Sequence, residues 1–342
     1  MPRKKEKRIF LKVLAICLFI CIGFYLHITN GMFDISVTEV IKTLLGLEEN
    51  EKFKLVIFEF RLPRIIIAIL VGIGLALAGC VLQGITKNDL ADPGILGINA
   101  GAGAAVVIFM FFFQFQAVRT DGSEWLNIMM MPFFGLVGGI LAAAIIFAFS
   151  FKYGRLDVQR LLLTGIAINS GFGALSLYIS LKMNEKDFES AALWQAGAIY
   201  NANWIFIVSI VPWIIILGIY VYRRSHLLDY FQLEESTIVS LGIHLEREKI
   251  KLLLASVGLV SACVSVSGSI GFIGLMAPHI ARQLVGIRHR LVVPVSALIG
   301  AALLVFSDFV GKTLFAPSEL AVGIVVSIIG IPYFLYLLVK SR

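Results

Sequence analysis

Two groups of residues have the types and spacing for recognition chemistry. Arg61-Leu62-Pro63-Arg64 sets two guanidinium groups at the mouth of an apolar run, and each is a planar fork that matches a carboxylate. Gly271-Phe272-Ile273-Gly274-Leu275-Met276-Ala277-Pro278-His279 interrupts a second apolar run with helix-breaking residues and a histidine. Nothing in a lipid-facing helix requires either group. A translocation pathway, or a docking face at its entrance, would.

Other chemistries find little support. Gly311-Lys312-Thr313 has the tail of a phosphate-binding loop, but that motif needs a glycine five positions earlier, where Phe306 stands. Any nucleotide must therefore be handled by another chain. The histidines His27, His226, His244, His279 and His289 lie apart, without metal-protease spacing or a Cys/His cluster, and no serine sits in a G-x-S-x-G frame. No catalytic residue, metal site or cofactor is expected. His279 reads either as a hydrogen-bonded residue near a helix start or as a functional group. Asp308 is the one plausible deep carboxylate, and Lys312, four residues on, is placed to pair with it along one helix face. A single paired Asp makes a poor proton relay, which argues against self-powered ion-coupled transport. Cys17, Cys21, Cys80 and Cys263 all fall in apolar runs and read as small hydrophobes.

The elements that must position these residues are membrane helices. The chain of 342 residues is 59% hydrophobic with a mean hydropathy of +0.92, and its apolar runs have the length that spans a bilayer as helix. Ten candidate spans fall at 9–28, 64–84, 95–115, 129–151, 158–181, 204–222, 250–268, 272–286, 293–313 and 320–339, the eighth short and broken. No soluble stretch is long enough for another domain, so residues 1–342 read as one transmembrane domain. Arg3, Lys4, Lys5, Lys7 and Arg8 precede the first run, which is long and lacks a small-residue cleavage site, so it reads as a retained helix. With the N-terminus inside, the inner segments hold 20 of the 29 Lys and Arg residues, which favours both termini in the cytoplasm. The net charge of +7 then reports orientation and needs no nucleic-acid partner.

The connections differ in kind. Residues 29–63 form a long outer loop, and Trp194 and Trp204 suit an interfacial level. The inner connection 223–250 is too polar to span, but its apolar residues recur at helical spacing, which suits short surface helices and a cytoplasmic docking element. Lys87-Asn88-Asp89-Leu90-Ala91-Asp92-Pro93-Gly94 is a compact inner turn, with Pro93 at a helix start. It is either an ordinary turn or an inner gate. Gly72, Gly74 and Gly79 in span two, and Gly165, Gly171 and Gly173 in span five, permit close helix approach. Span five also carries Thr164, Asn169 and Ser170, neutral groups suited either to helix–helix hydrogen bonds or to lining a pore.

Along nearly its entire length the chain resembles the FecCD-type permeases, the membrane subunits of type II ABC importers for iron–siderophores, haem or vitamin B12. The resemblance rests on Arg61-Leu62-Pro63-Arg64, on Gly79-Cys80-Val81-Leu82-Gln83 with Asn88 to Gly97, on Gly268 to Leu275 with Ala277-Pro278-His279-Ile280-Ala281-Arg282, and on Glu319 with Val322-Gly323. It implies an all-α protein of about ten spans, with inverted repeats in spans two to five and seven to ten. It implies a second permease subunit, identical or paralogous, with the pathway between the fifth spans. The other partners are a cytoplasmic ATPase dimer, an extracytoplasmic substrate-binding protein and a ferric–siderophore substrate. The binding protein's acidic residues would meet Arg61, Arg64 and Lys312, whose structural alternative is lipid-headgroup anchoring. The ATPase would dock on 223–250, with Leu233-Glu234-Glu235 and Leu241-Gly242 as the matched core, and Asn88 and its neighbours would gate. Asp89 departs from the family pattern, which often has proline there, so the turn is expected to be looser.

Overall fold

Within a bilayer the backbone has no water to bond, so apolar runs of spanning length fold as helices. The structure, a computed structural model, describes residues 2–30, 35–48, 50–117, 124–152, 155–199, 201–234, 237, 244–316 and 318–340. Helix α1 (Pro2–Thr29) is followed by α2 (Val37–Leu44) and α3 (Glu51–Leu55), and a π turn at Val56–Arg61 runs directly into α4 (Leu62–Thr86). A 3-10 turn at Pro93–Leu96 leads to α5 (Ile98–Ala117), and α6 (Glu124–Ser150) comes next. A minimal antiparallel ladder, pairing Phe151 with Leu156, precedes α7 (Val158–Ser180). The remaining elements are α8 (Glu185–Gln195), α9 (Trp204–Arg223), α10 (Ser225–Tyr230), α11 (Leu245–Ser267), α12 (Ile273–Val285), α13 (His289–Leu314) and α14 (Val322–Lys340).

This is an all-helical membrane protein. Among the described residues eight helices are long and apolar enough to cross a membrane. The other two expected spans are shorter: the apolar part of α5 is Ile98–Phe113, and α12 has 13 residues. Helix α4 lies at the centre, packed on α11, α12 and α13. Close approach there needs bare backbone. A Cβ on Gly72 would fall 2.4 Å from the Gly300 carbonyl oxygen of α13, and one on Gly79 would fall 1.9 Å from that of Gly274 in α12. Helices α1 and α7 sit outside this centre with most of their surface uncovered.

Two expectations need correction. The connection 29–63 is largely helical: Ser36 and Glu39 form a reciprocal capping box that starts α2, and this hydrogen bonding holds the Glu39 carboxyl below its ordinary pKa. The π turn stands just before a proline. Pro63 has no N–H to continue an α-helical ladder, and the ladder shifts so that the Leu62 N–H bonds to Ile57 O, five residues back. The break in the eighth span precedes Ile273 and does not interrupt the helix at Pro278, which lies inside α12. Trp194 is buried, whereas the Trp204 indole N–H donates to Phe58 O at 2.9 Å.

Candidate functional site

Functional side chains gather at two levels: the basic end of the bundle, where α1 begins, and the opposite end, where α1 stops. At the opposite end α1 leaves its last carbonyls without helical partners. Arg61 Nη1 donates to Ile28 O. Lys312 Nζ donates to Asn30 O at 3.0 Å and to His27 O at 3.5 Å. Two cations thus complete the C-terminus of α1, where the helix dipole favours positive charge. Arg64 turns inward. Its Nε and Nη2 grip both oxygens of Asp308 at 2.7 and 2.8 Å, and Nη1 holds Glu319 at 2.7 Å. His27 Nε2 lies 2.6 Å from Asp308 Oδ2.

The cluster is deeply set, with Arg61 5%, Arg64 8% and Asp308 1% exposed. Glu319 is its open edge, its side chain 34% exposed. The pairing expected between Asp308 and Lys312 does not form as an ion pair. The Arg64 fork satisfies both Asp308 oxygens at once, and Lys312 is drawn to the end of α1. The cluster fastens α1, α4, α13 and the segment before α14 by charge.

At the basic end, the turn after α4 begins with Lys87 in a left-handed conformation, φ 53°. Asn88 Oδ1 accepts from the Leu90 N–H at 2.9 Å, fixing the turn. Asp92 Oδ1 caps the Pro93–Leu96 turn through the Gly94 N–H at 2.8 Å. Its Oδ2 accepts from the N–H of Phe272 at 2.9 Å, a non-glycine residue at φ 64° that starts α12. Burial pushes the Asp92 carboxyl pKa up, against the pull of these two donors. Gln83 reads backbone on both sides: its Nε2 is shared among Ala91 O, Gly274 O and Leu275 O at 3.2 to 3.3 Å. Gly274 lies four residues before Pro278, which has no N–H to give it, so Gln83 satisfies a carbonyl that the helix cannot. Gln83 Oε1 in turn accepts from Arg282, which lies 3.2 Å from Asp89.

The segment after α9 is tied to the same place. Helix α10 buries Leu227 and Leu228. Lys87 Nζ donates to Leu233 O at 2.9 Å, Gln232 donates to Gly84 O at 3.1 Å, and Asp229 accepts from the His289 N–H at 3.0 Å. A cavity of about 650 Å³ opens here, lined by Gln83, Asp89, Asp229, Leu233, Arg282 and His289. Leu233 and Glu234 are exposed. Glu235, Leu241 and Gly242 lie outside the described residues.

On α7, Thr164 is half-buried while Asn169 and Ser170 are exposed, and the Ser170 hydroxyl returns to Ile166 O of its own helix at 3.0 Å. Gly171 and Gly173 face open space. The inner turn abuts this helix: Gly97 has φ 74°, and a Cβ there would meet Gly165 O at 2.8 Å and Asn169 N at 3.2 Å. Sequence reasoning missed His27 and Glu319 as partners of the charge cluster, and Gln83, Lys87, Gln232 and Arg282 as ties at the basic end. Only Gln83 carried a readable signal, a lone amide inside a long apolar run.

Comparison with known proteins supplies the context. The chain is 47% identical to the iron-uptake system permease protein FeuC of Bacillus subtilis, over 93% of this chain and 94% of that one. It is 42% identical to the iron(3+)-hydroxamate import system permease protein FhuG of the same organism, over the full length of both. It is 36% identical to the hemin transport system permease protein HmuU of Yersinia pestis, over 88% of each. Its structure is similar to a solved inward-facing conformation of a metal-chelate type ABC transporter, with a TM-score of 0.81 and 28% identity, covering 96% of this chain and 98% of that one. The model of the FecCD transport family matches residues 17–340, and the chain belongs to that family.

Proposed function

We propose that this chain is the non-catalytic permease subunit of an ABC importer that carries a ferric–siderophore across the cytoplasmic membrane. It works by alternating access, powered by a separate ATPase. The observation that carries the reading is the uncovered face of α7. Ser170 is exposed and Gly171 and Gly173 face open space, a small, neutral surface left uncovered by the inner turn, which abuts the helix at Gly165 and Asn169. A pathway shared with a second permease subunit, identical or paralogous, uses such a face. Thr164, Asn169 and Ser170 line it, and Asn88 and Asp89 gate its base. The names of relatives serving iron uptake, iron(3+)-hydroxamate and hemin support an iron-chelate substrate. Haem is the second reading, favoured by the hemin relative alone.

The chain forms one transmembrane domain of ten spans with both termini cytoplasmic, the shorter α5 and α12 counting among them. Inverted repeats in α4–α7 and α11–α14 are supported by two parallels. Helices α4 and α11, the first of each half, are the most buried. Each is followed by a non-helical break, and Asp92 of one break bonds to Phe272 of the other, a meeting of interrupted segments that suits such repeats. The ATPase docks on 223–250 through Leu233, Glu234, Glu235, Leu241 and Gly242. Lys87 and Gln232 then pass its motion to α4 and the gate. The extracytoplasmic binding protein engages Arg61, Arg64 and Lys312. Because Arg64 is held by Glu319, an incoming carboxylate must first displace that one exposed partner.

The test is uptake of radioactive iron, supplied as several ferric–siderophores and as haem, in cells with and without this gene and with and without the cognate ATPase. Loss of one siderophore class in both deletions supports the proposal. Uptake that survives loss of the ATPase and collapses with the ion gradient would replace it with a secondary transporter.

A further inference from the structure

Between its charged C-terminal end and Lys12, helix α1 meets the bundle through aromatic packing. The Phe19 ring stacks on Phe306 of α13 with centroids 3.9 Å apart, and a Cβ on Gly23 would come within 2.9 Å of the same ring. Toward the basic end a groove of about 540 Å³ runs between α1 and α12–α13, lined by Ala15, Ile16, Ile280, Leu284 and Leu303. Lys12 closes it, its Nζ donating to Leu284 O at 2.6 Å in the last turn of α12. An ammonium group has three N–H donors, so two remain for a ligand. Arg8, four residues earlier and exposed, lies on the same face of α1 as Lys12 and Ile16. One stripe of the helix thus reads basic, basic, then apolar, over a groove of matching polarity.

We propose that this groove binds an anionic phospholipid of the surrounding bilayer, one acyl chain lying between α1 and α12 and the phosphate on Lys12 and Arg8. An apolar crevice alone would not select a lipid, because acyl chains are as apolar as leucine. Selection comes from the two cations. The bound lipid ties α1 to α12, the helix whose start is held by Asp92. This rests on the membrane-spanning fold alone and not on which solute crosses.

The experiment uses the permease purified with its ATPase in mild detergent. It is titrated with phosphatidylglycerol or phosphatidylcholine of matched chains, and retained lipid is counted by native mass spectrometry. Phosphatidylglycerol is expected to bind about fivefold more tightly per basic residue engaged. Arg8→Gln with Lys12→Gln should bring the two lipids level without loss of phosphatidylcholine. Ala15→Phe should reduce both, and if that variant fails to fold, the charge variants decide alone. Equal binding of the two lipids to the parent would overturn the proposal. So would a preference that survives Arg8→Gln with Lys12→Gln, or a second permease chain seated in the groove to the exclusion of lipid.

Discussion

Where α1 ends, Arg64 holds Asp308 through a short, two-pronged charged contact between helices and Glu319 through a single one. Where α1 begins, Gln83 and Asp92 bind backbone carbonyls and amides, and single longer contacts from Lys87 and Gln232 hold the segment after α9. The first arrangement is strong and brittle, since a buried charge that loses its partner cannot be left as it is. The second is made of many modest bonds, each worth about 1 kcal/mol net, and it grips the backbone itself. A fastening that must open as a unit suits charge. One that must transmit a small displacement without opening suits side chains that read backbone.

The widest separation between the two is expected from Asp308→Ala, which takes from Arg64 two of its three carboxylate contacts and leaves it the more exposed Glu319 alone. Stability should fall by about 3–5 kcal/mol, read as denaturant unfolding in detergent. A loss under about 1 kcal/mol would mean that the cluster is no stronger than an exposed pair. Gln83→Leu comes next. It leaves the Gly274 carbonyl without its donor and should cost about 1–3 kcal/mol. Transport in proteoliposomes should fall while ATP hydrolysis by the partner continues, and equal loss of both would argue against a transmitting role. Glu319→Gln should shift stability by less than about 1 kcal/mol. It should nevertheless strengthen capture of the binding protein, up to about fivefold by surface-exchange energies, measurable by biolayer interferometry. Weaker capture would make Glu319 a contact and not an obstacle. Charge reversal at Arg61 and Arg64 is a poorer probe, because it would break the cluster and the proposed docking face together. The smallest effect is expected from Lys87→Met, about 0.5–1 kcal/mol in stability, with substrate stimulation of ATP hydrolysis reduced. Unchanged stimulation would leave the Lys87–Leu233 contact a local cap.

The sequence made the helical content and the two unusual segments readable because apolar run length and the lone guanidinium pair are local signals. It also placed the inner turn and the weakened eighth span. It misplaced what is local but quiet. The Ser36-x-x-Glu39 box lies in an outer connection read as loop, and the interruption read across Gly271–His279 is confined to the residues before Ile273. The larger gap is in partners. Asp308 was matched to Lys312 because only neighbours along one helix can be inferred from spacing. Its real partner, Arg64, is 244 residues away. Gln83 was visible as an oddity, but that it would serve a carbonyl freed by Pro278 depends on α4 and α12 lying face to face.

The π turn at Val56–Arg61 bears on how this protein tolerates change in length. Each residue of an α-helix turns the chain by about 100°, so one residue gained in a wide turn rotates the preceding segment relative to the helix beyond it. α3 is therefore clocked differently from the helix that would result if α4 continued backwards without interruption. A single-residue deletion within Val56–Phe60 should be absorbed by tightening the turn into ordinary helix, leaving Arg64 and the whole of α4 in phase. The same deletion anywhere in Ile65–Leu82 would swing Gln83 off its three carbonyls. An allowance for insertion or loss lies just outside the charge cluster, and none is left inside it.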